Sequence, residues 1–288
     1  MSPLAISVRN LSKTFGRDRS ALNGVSLMVN RGEMVALLGA SGSGKSTLLR
    51  QISGLAPGDA VDDSEIRVNG ALVQSGGRVS TEIRKLRTDI GFIFQQFNLV
   101  GRLPVLTNVL TGQLHRMPLW RSLSKNFLQC EQALAMHALQ RVGIAEFATR
   151  RASTLSGGQL QRAAIARSLV QGAKILLADE PIASLDPESA RMVMETLSQI
   201  NREDGCTVLV SLHQVDIAMK YCPRIIALHQ GNIVFDGAST ELTAASLRRL
   251  YGSQSDEPTK GDEAWQDDFH PRLRPLFPPV PDRSSLHA

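Results

Sequence analysis

An α/β fold with a parallel sheet, an antiparallel β patch at its start and a helical insertion is what this 288-residue sequence predicts. The apolar run Met34-Val35-Ala36-Leu37-Leu38 leads into Gly39-Ala40-Ser41-Gly42-Ser43-Gly44-Lys45-Ser46-Thr47, and Leu48, Leu49 and Ile52 follow at helical spacing. A strand buried on both faces, a glycine-rich phosphate loop and a helix read this way. Aliphatic runs then recur at 175–178, 207–212 and 224–228, separated by helix-like stretches such as 187–201, which is βαβ organisation. Between about 97 and 170 the pattern turns helical, with no clear strand.

From 5 to 36, short apolar groups alternate with the turn signals Asn23-Gly24 and Asn30-Arg31-Gly32, as antiparallel strands do. In the phosphate loop, glycine lets the backbone curl until its N–H groups point at the β- and γ-phosphates of a nucleoside triphosphate. The helix that follows aims its positive end at the same charge. Lys45 is placed to neutralise phosphate and Ser46 to ligate Mg²⁺. In the helical insertion, Phe127, Leu134, Met136, Leu139 and Val142 form an apolar pattern over 126–142 that stops at Gly143. Gln230-Gly231-Asn232 turns a closing hairpin over 224–236. With no internal repeat, residues 5–250 read as a single nucleotide-binding domain. From about 252 the chain becomes polar and acidic, then crowded with Pro271, Pro275, Pro278, Pro279 and Pro281, so a disordered tail over 252–288 is expected.

Composition excludes several functions. No run approaches the ~18 apolar residues of a membrane span, and the first residues lack the pattern of a signal peptide, so a cytosolic chain is expected. Cys130, Cys206 and Cys222 lack metal-ligand spacing and read as reduced structural thiols. The formal charge of +5 comes from scattered bases with few aromatics, a solvated basic surface instead of a nucleic-acid interface.

Two further motifs carry chemistry. Leu176-Leu177-Ala178-Asp179-Glu180 ends an apolar strand in two acids, costly to bury for packing alone but sensible beside Mg²⁺ and an attacking water. Asp179 is assigned to the metal shell and Glu180 to the water. Leu155-Ser156-Gly157-Gly158-Gln159 opens a helix and forms a second anion site from backbone N–H groups and the Ser156 hydroxyl. Two phosphate loops but one lysine suggest a head-to-tail pair, in which each copy's second loop closes on the γ-phosphate held by the other.

These motifs resemble those of the ATP-binding-cassette (ABC) ATPases over roughly residues 5–250. The resemblance implies that Phe15 stacks on adenine and that Gln95, with Gln96 as its adjacent rival, meets Mg²⁺ or water and senses the helical region. It also implies that His213 contacts the γ-phosphate and holds Glu180 and water, and that Asp186 communicates across the dimer. The segments 94–100, 179–190, 212–216 and 221–225 look similar to the ATPase subunit of phosphonate importers. By that resemblance, the cofactors are ATP and Mg²⁺. The expected partners are a second copy, membrane-spanning permease subunits docked near residues 96–120 and a periplasmic substrate-binding protein, with no nucleic acid. The expected location is the cytoplasmic face of the inner membrane. Trp120 reads either as part of the permease-docking surface or as a partly buried structural tryptophan. Import of phosphite or another phosphorus oxyanion, or an accessory role in a carbon–phosphorus lyase complex, stays open.

Overall fold

The computed structural model describes residues 3–16, 19–124 and 126–243, residue 19 by its backbone alone. The expected tail over 252–288 lies outside the described residues. Strands β1 (Leu4–Phe15) and β2 (Arg19–Asn30) pair antiparallel and lead to β3 (Met34–Leu38) and α1 (Lys45–Ile52). Then come β4 (Glu65–Val68), β5 (Ala71–Ser75), β6 (Arg78–Val79), α2 (Ile83–Leu86) and β7 (Ile90–Ile93). The helical stretch contains α3 (Val105–Leu110), a 3₁₀ segment (Thr111–Arg116), α4 (Leu119–Ser124), α5 (Gln129–Arg141) and α6 (Gly157–Gln171). The chain returns through β8 (Ile175–Ala178), α7 (Pro187–Asp204), β9 (Thr207–Leu212), α8 (Val215–Tyr221), β10 (Arg224–His229) and β11 (Asn232–Ala238).

Two sheets result. One is antiparallel, in the order β2-β1-β4-β5-β6; the other runs β11-β10-β3-β9-β8-β7 and is parallel except for the β10–β11 hairpin. Strands β3, β8 and β9 are buried along their whole length, as continuous aliphatic runs require when both faces are covered. Their alternation divides the core. Met34, Ala36 and Leu38 join the helical layer, whereas Val35 and Leu37 join α1 and the antiparallel sheet. The carboxyl ends of β3, β8 and β9 therefore converge, and these are the ends where open α/β sheets bind ligands.

The structure adds strands that the sequence pattern did not reveal. Strands β4 to β6 extend the antiparallel sheet through segments of two to five residues in which charge interrupts the apolar signal. Glu65 and Arg67 form an exposed ion pair on the outer face while Ile66, Val68 and Val73 fill the inner one. On α5 the buried face is Ala135, Ala138 and Leu139, continued by Val142, and the expected Leu134 is 43% exposed. Two small alanines thus share the buried face with Leu139. No helix among the described residues is long and apolar enough to cross a membrane.

Helix α6 runs through the middle of the helical layer with Ala163, Ala164, Ile165 and Ala166 all fully buried. It approaches the 3₁₀ segment so closely that a Cβ on Gly112 would lie 2.3 Å from the Arg167 carbonyl oxygen. That contact is backbone on backbone and cannot be relieved by turning a side chain. Gly112→Ala should destabilise the protein by about 1–3 kcal/mol, read as a lowered urea midpoint; an unchanged midpoint would contradict the close approach.

Candidate nucleotide site

The loop from Gly39 to Thr47 is shaped by its neighbours as much as by its own sequence. Gly44 has φ 106°, and a Cβ there would sit 2.3 Å from the Ala21 carbonyl oxygen on β2. A Cβ on Gly39 would meet the Leu228 carbonyl oxygen on β10 at 2.3 Å. Only glycine fits where two strands press on the loop. The hairpin after β10 completes the clamp, since the Gly231 N–H donates to the Ser43 carbonyl at 3.2 Å and the Asn23 N–H to the Gly231 carbonyl at 2.9 Å.

Inside this cradle Lys45 is buried at 3% exposure. Its Nζ donates to the carbonyl oxygens of Gly39 (2.7 Å) and Ala40 (3.1 Å) and stands 3.9 Å from Glu180 Oε1. Burial pushes its pKa below the ordinary lysine value, and the charges of Glu180 and Asp179 oppose that shift. The buried Ser43 hydroxyl has no hydrogen-bond partner. A buried cation resting on carbonyls and an orphaned hydroxyl are what an incoming phosphate would satisfy.

The two acids after β8 diverge. Asp179, 4% exposed, accepts from the Ser46 hydroxyl at 2.7 Å and the Ser211 hydroxyl at 3.2 Å, with an Arg50 nitrogen 3.8 Å away. One carboxylate beside one hydroxyl is a hard-oxygen donor pair that suits Mg²⁺, which takes few protein ligands and fills the rest with phosphate oxygen and water. Glu180 turns away because its backbone is left-handed, with φ 47°. For a side chain of this size that conformation is strained. It is held by the Glu180 N–H, which donates to Ser211 Oγ at 2.8 Å. The turn brings Glu180 Oε1 to 2.5 Å from His213 Nε2, while His213 Nδ1 lies 3.1 Å from the Gly39 carbonyl oxygen. A carbonyl can only accept, so the contact to Gly39 orients the ring with Nε2 towards the Glu180 carboxylate.

Ser211 was not singled out by the sequence reading. It is fully buried on β9 and holds both acids in place. Its signal was present: a serine near the carboxyl end of the run Thr-Val-Leu-Val-Ser-Leu, among aliphatic neighbours that suit a buried strand.

The remaining predicted residues are not gathered at Lys45. Gln95 and Gln96 follow β7 as exposed residues, and the next two, Phe97 and Asn98, have positive φ of 57° and 48°. Phe15 is 49% exposed at the end of β1, with the Lys13 ammonium 5.7 Å from its ring centre, so it is not a core residue. Ser156 caps α6: its hydroxyl accepts from the Gln159 N–H at 3.4 Å, and the Ser156 N–H donates to Gln159 Oε1 at 2.9 Å. Gly157 and Gly158 press on the start of α7, where added Cβ atoms would lie 3.0 Å from a Leu185 methyl and 2.5 Å from the Ser189 hydroxyl. Asp186 caps α7 by accepting from the Ser189 N–H at 2.9 Å, and hydrogen bonds from Ser189 lower its carboxyl pKa. Cys206 and Cys222 are buried, their thiols pushed up to about 12, and no group of acids, histidines and cysteines able to hold a metal occurs among the described residues.

Gly44→Ala tests the cradle without touching a charged group. The backbone clash should lower nucleotide affinity by roughly tenfold or more, measured with a fluorescent ATP analogue; unaltered affinity would mean that the loop relaxes around a methyl group.

The ABC transporter family model matches residues 22–183. The chain is 62% identical over 253 residues to phosphonates import ATP-binding protein PhnC 1 of Cupriavidus metallidurans, a match covering 88% of this chain and 89% of the relative. It is 58% identical over 253 residues to PhnC 1 of Pseudomonas aeruginosa, covering 88% and 91%. Among solved structures, the ATP-binding cassette MJ0796, dimeric in a post-hydrolysis state bound to ADP and Pi, superposes with a TM-score of 0.70 at 33% identity, over 81% of this chain and 98% of that one. The phosphate cradle and its acids thus stand on a fold and a sequence shared over most of their length with such cassettes, and the chain belongs to the ABC transporter family as an ATP-binding subunit.

Proposed function

We propose that this cassette hydrolyses ATP to drive phosphonate import, as part of a complex at the cytoplasmic face of a bacterial inner membrane. The observation that carries the substrate assignment is the relatives' name, phosphonates import ATP-binding protein, at 58–62% identity over 88% of the chain. A phosphonate is an anion that cannot cross hydrocarbon unaided, so its selection falls to a periplasmic binding protein and membrane-spanning permease subunits, and ATP energy to this chain. No nucleic acid is involved.

The chemistry follows from the site. Residues 39–47 hold the phosphates, Lys45 compensates their charge and Phe15 stacks on the base. Ser46, Asp179 and Gln95 would hold Mg²⁺, which when bound neutralises charge on the phosphate oxygens. Glu180 orients and deprotonates the attacking water, and His213, fixed by the Gly39 carbonyl, holds Glu180 in place and contacts the γ-phosphate. Ser156, Gly157, Gly158 and Gln159 act on the nucleotide of a second copy, where the capped start of α6 offers its free N–H groups to the γ-phosphate. The dimeric state of the similar cassette MJ0796 supports a composite site shared between two copies.

A groove of about 430 Å³ between the sheet and the helical layer supports the permease assignment. Phe92, Phe94, Arg84, Arg87, His115 and Arg167 line it. Arg167 donates to the Asn98 carbonyl at 2.7 Å, so a segment seated there would touch the loop that carries Gln95. Asp186, at the start of α7, would report across the dimer.

Glu180→Gln should keep ATP binding, lower turnover about 100-fold or more and trap an ATP-bound dimer visible by size-exclusion chromatography. Near-normal turnover would remove Glu180 from the mechanism. In proteoliposomes with permease and binding protein, phosphonate should stimulate hydrolysis; stimulation by phosphite alone would reassign the cargo.

A further inference from the structure

The three most exposed large apolar side chains among the described residues share one short helix. Leu119, Trp120 and Leu123 of α4 are 82%, 66% and 83% exposed, and the next, Met28, is 58%. Positions 119, 120 and 123 fall on one face of a helix turn. The opposite side is tied down. Met117 is buried, the Arg121 guanidinium meets Glu131 at 2.6 Å, and it also donates to the Asn126 carbonyl at 3.1 Å. The helix is therefore held with its apolar face outward, and nothing in the fold requires that exposure.

Charge narrows the occupant. From Ile90 to Cys130 the chain has no Asp or Glu, while Arg102, Arg116, Arg121 and Lys125 lie within that stretch. The first acid after it, Glu131, is committed to Arg121 and to capping α5 through the Leu128 N–H at 2.7 Å. Arg116 is exposed, and its hydrogen bonds go to His115 and the Gln171 carbonyl, neither a carboxylate. An exposed tryptophan and two exposed leucines on one helix face, in a stretch of sequence whose charged residues are all basic, match the interfacial layer of an anionic bilayer. None of the three apolar residues lines the groove beside Phe94 and Arg167.

We propose that α4 is a lipid anchor, with Leu119, Trp120 and Leu123 seated among the headgroups of an anionic membrane and Arg116 facing their phosphates. This goes beyond the transport reading. It gives the cassette a contact with the bilayer that is separate from its permease groove and fixes how the helical layer faces the membrane.

The test is sedimentation of the full-length chain with phosphatidylglycerol-containing vesicles and with pure phosphatidylcholine vesicles, in the absence of permease. Trp265→Phe leaves Trp120 as the only tryptophan. Preferential binding to the anionic vesicles, a blue-shifted Trp120 emission and weakening by salt are expected. Leu119→Ser/Trp120→Ser/Leu123→Ser should weaken vesicle binding at least about tenfold while ATP binding stays intact, since only the apolar anchoring area is removed. Vesicle binding that is absent, or equal in the triple variant, overturns the proposal. So does a triple variant that binds vesicles normally but loses stimulation by detergent-solubilised permease, which would give the ridge to a protein partner. Because the vesicle assay holds no permease, its failure leaves the transport reading untouched.

Discussion

A lysine ammonium held in the interior on two backbone carbonyls is the constraint around which the rest of this structure is arranged. Carbonyl dipoles and a carboxylate 3.9 Å away compensate the Lys45 charge only in part. Keeping those dipoles aimed requires a loop that cannot relax, and the fold supplies the rigidity from outside the loop. Strand β2 and the end of β10 approach it closely enough to exclude every side chain at two positions. The antiparallel sheet and the closing hairpin thus serve the chemistry without contributing a reactive group.

A second constraint divides the labour of two adjacent acids. Consecutive residues in a continued strand would point to opposite faces, one of them into the core. The chain instead leaves β8 through a left-handed residue, and the fully buried Ser211 hydroxyl stabilises the turn. Asp179 thereby stays with the hydroxyl of Ser46, and Glu180 swings to His213. One serine on the neighbouring strand keeps apart two carboxylates that sequence makes inseparable.

What the sequence disclosed follows from how local each signal is. The phosphate loop, the acid pair and the capped glycines of residues 155–159 are contiguous and carry their chemistry in residue type, so they were legible without a fold. His213 was legible through the resemblance to ABC ATPases, helped by its place at the carboxyl end of an aliphatic strand. Strands β4 to β6 were not, because segments of two to five residues with one wetted face give too few alternations to read. On α5 the pattern was right for Leu139 and Val142 but missed Ala135 and Ala138 and included the exposed Leu134, because alanine carries a weaker apolar signal than leucine. The groove lined by Phe92, Phe94 and Arg167 joins residues far apart in the chain, and no local pattern marks it.

The contact of Gly157 and Gly158 with Leu185 and Ser189 couples distant parts of the mechanism. With separations of 2.5–3.0 Å from where any side chain would begin, the start of α6 and the start of α7 have no clearance to slide past one another. They form a single mechanical part. Whatever draws the glycine loop towards a neighbouring molecule must carry Asp186 with it, and Asp186 follows Glu180 in the same short connection. A shift of the glycine loop would therefore be handed to the connection that holds Glu180 as to one rigid linkage, without any relay of separately moving side chains.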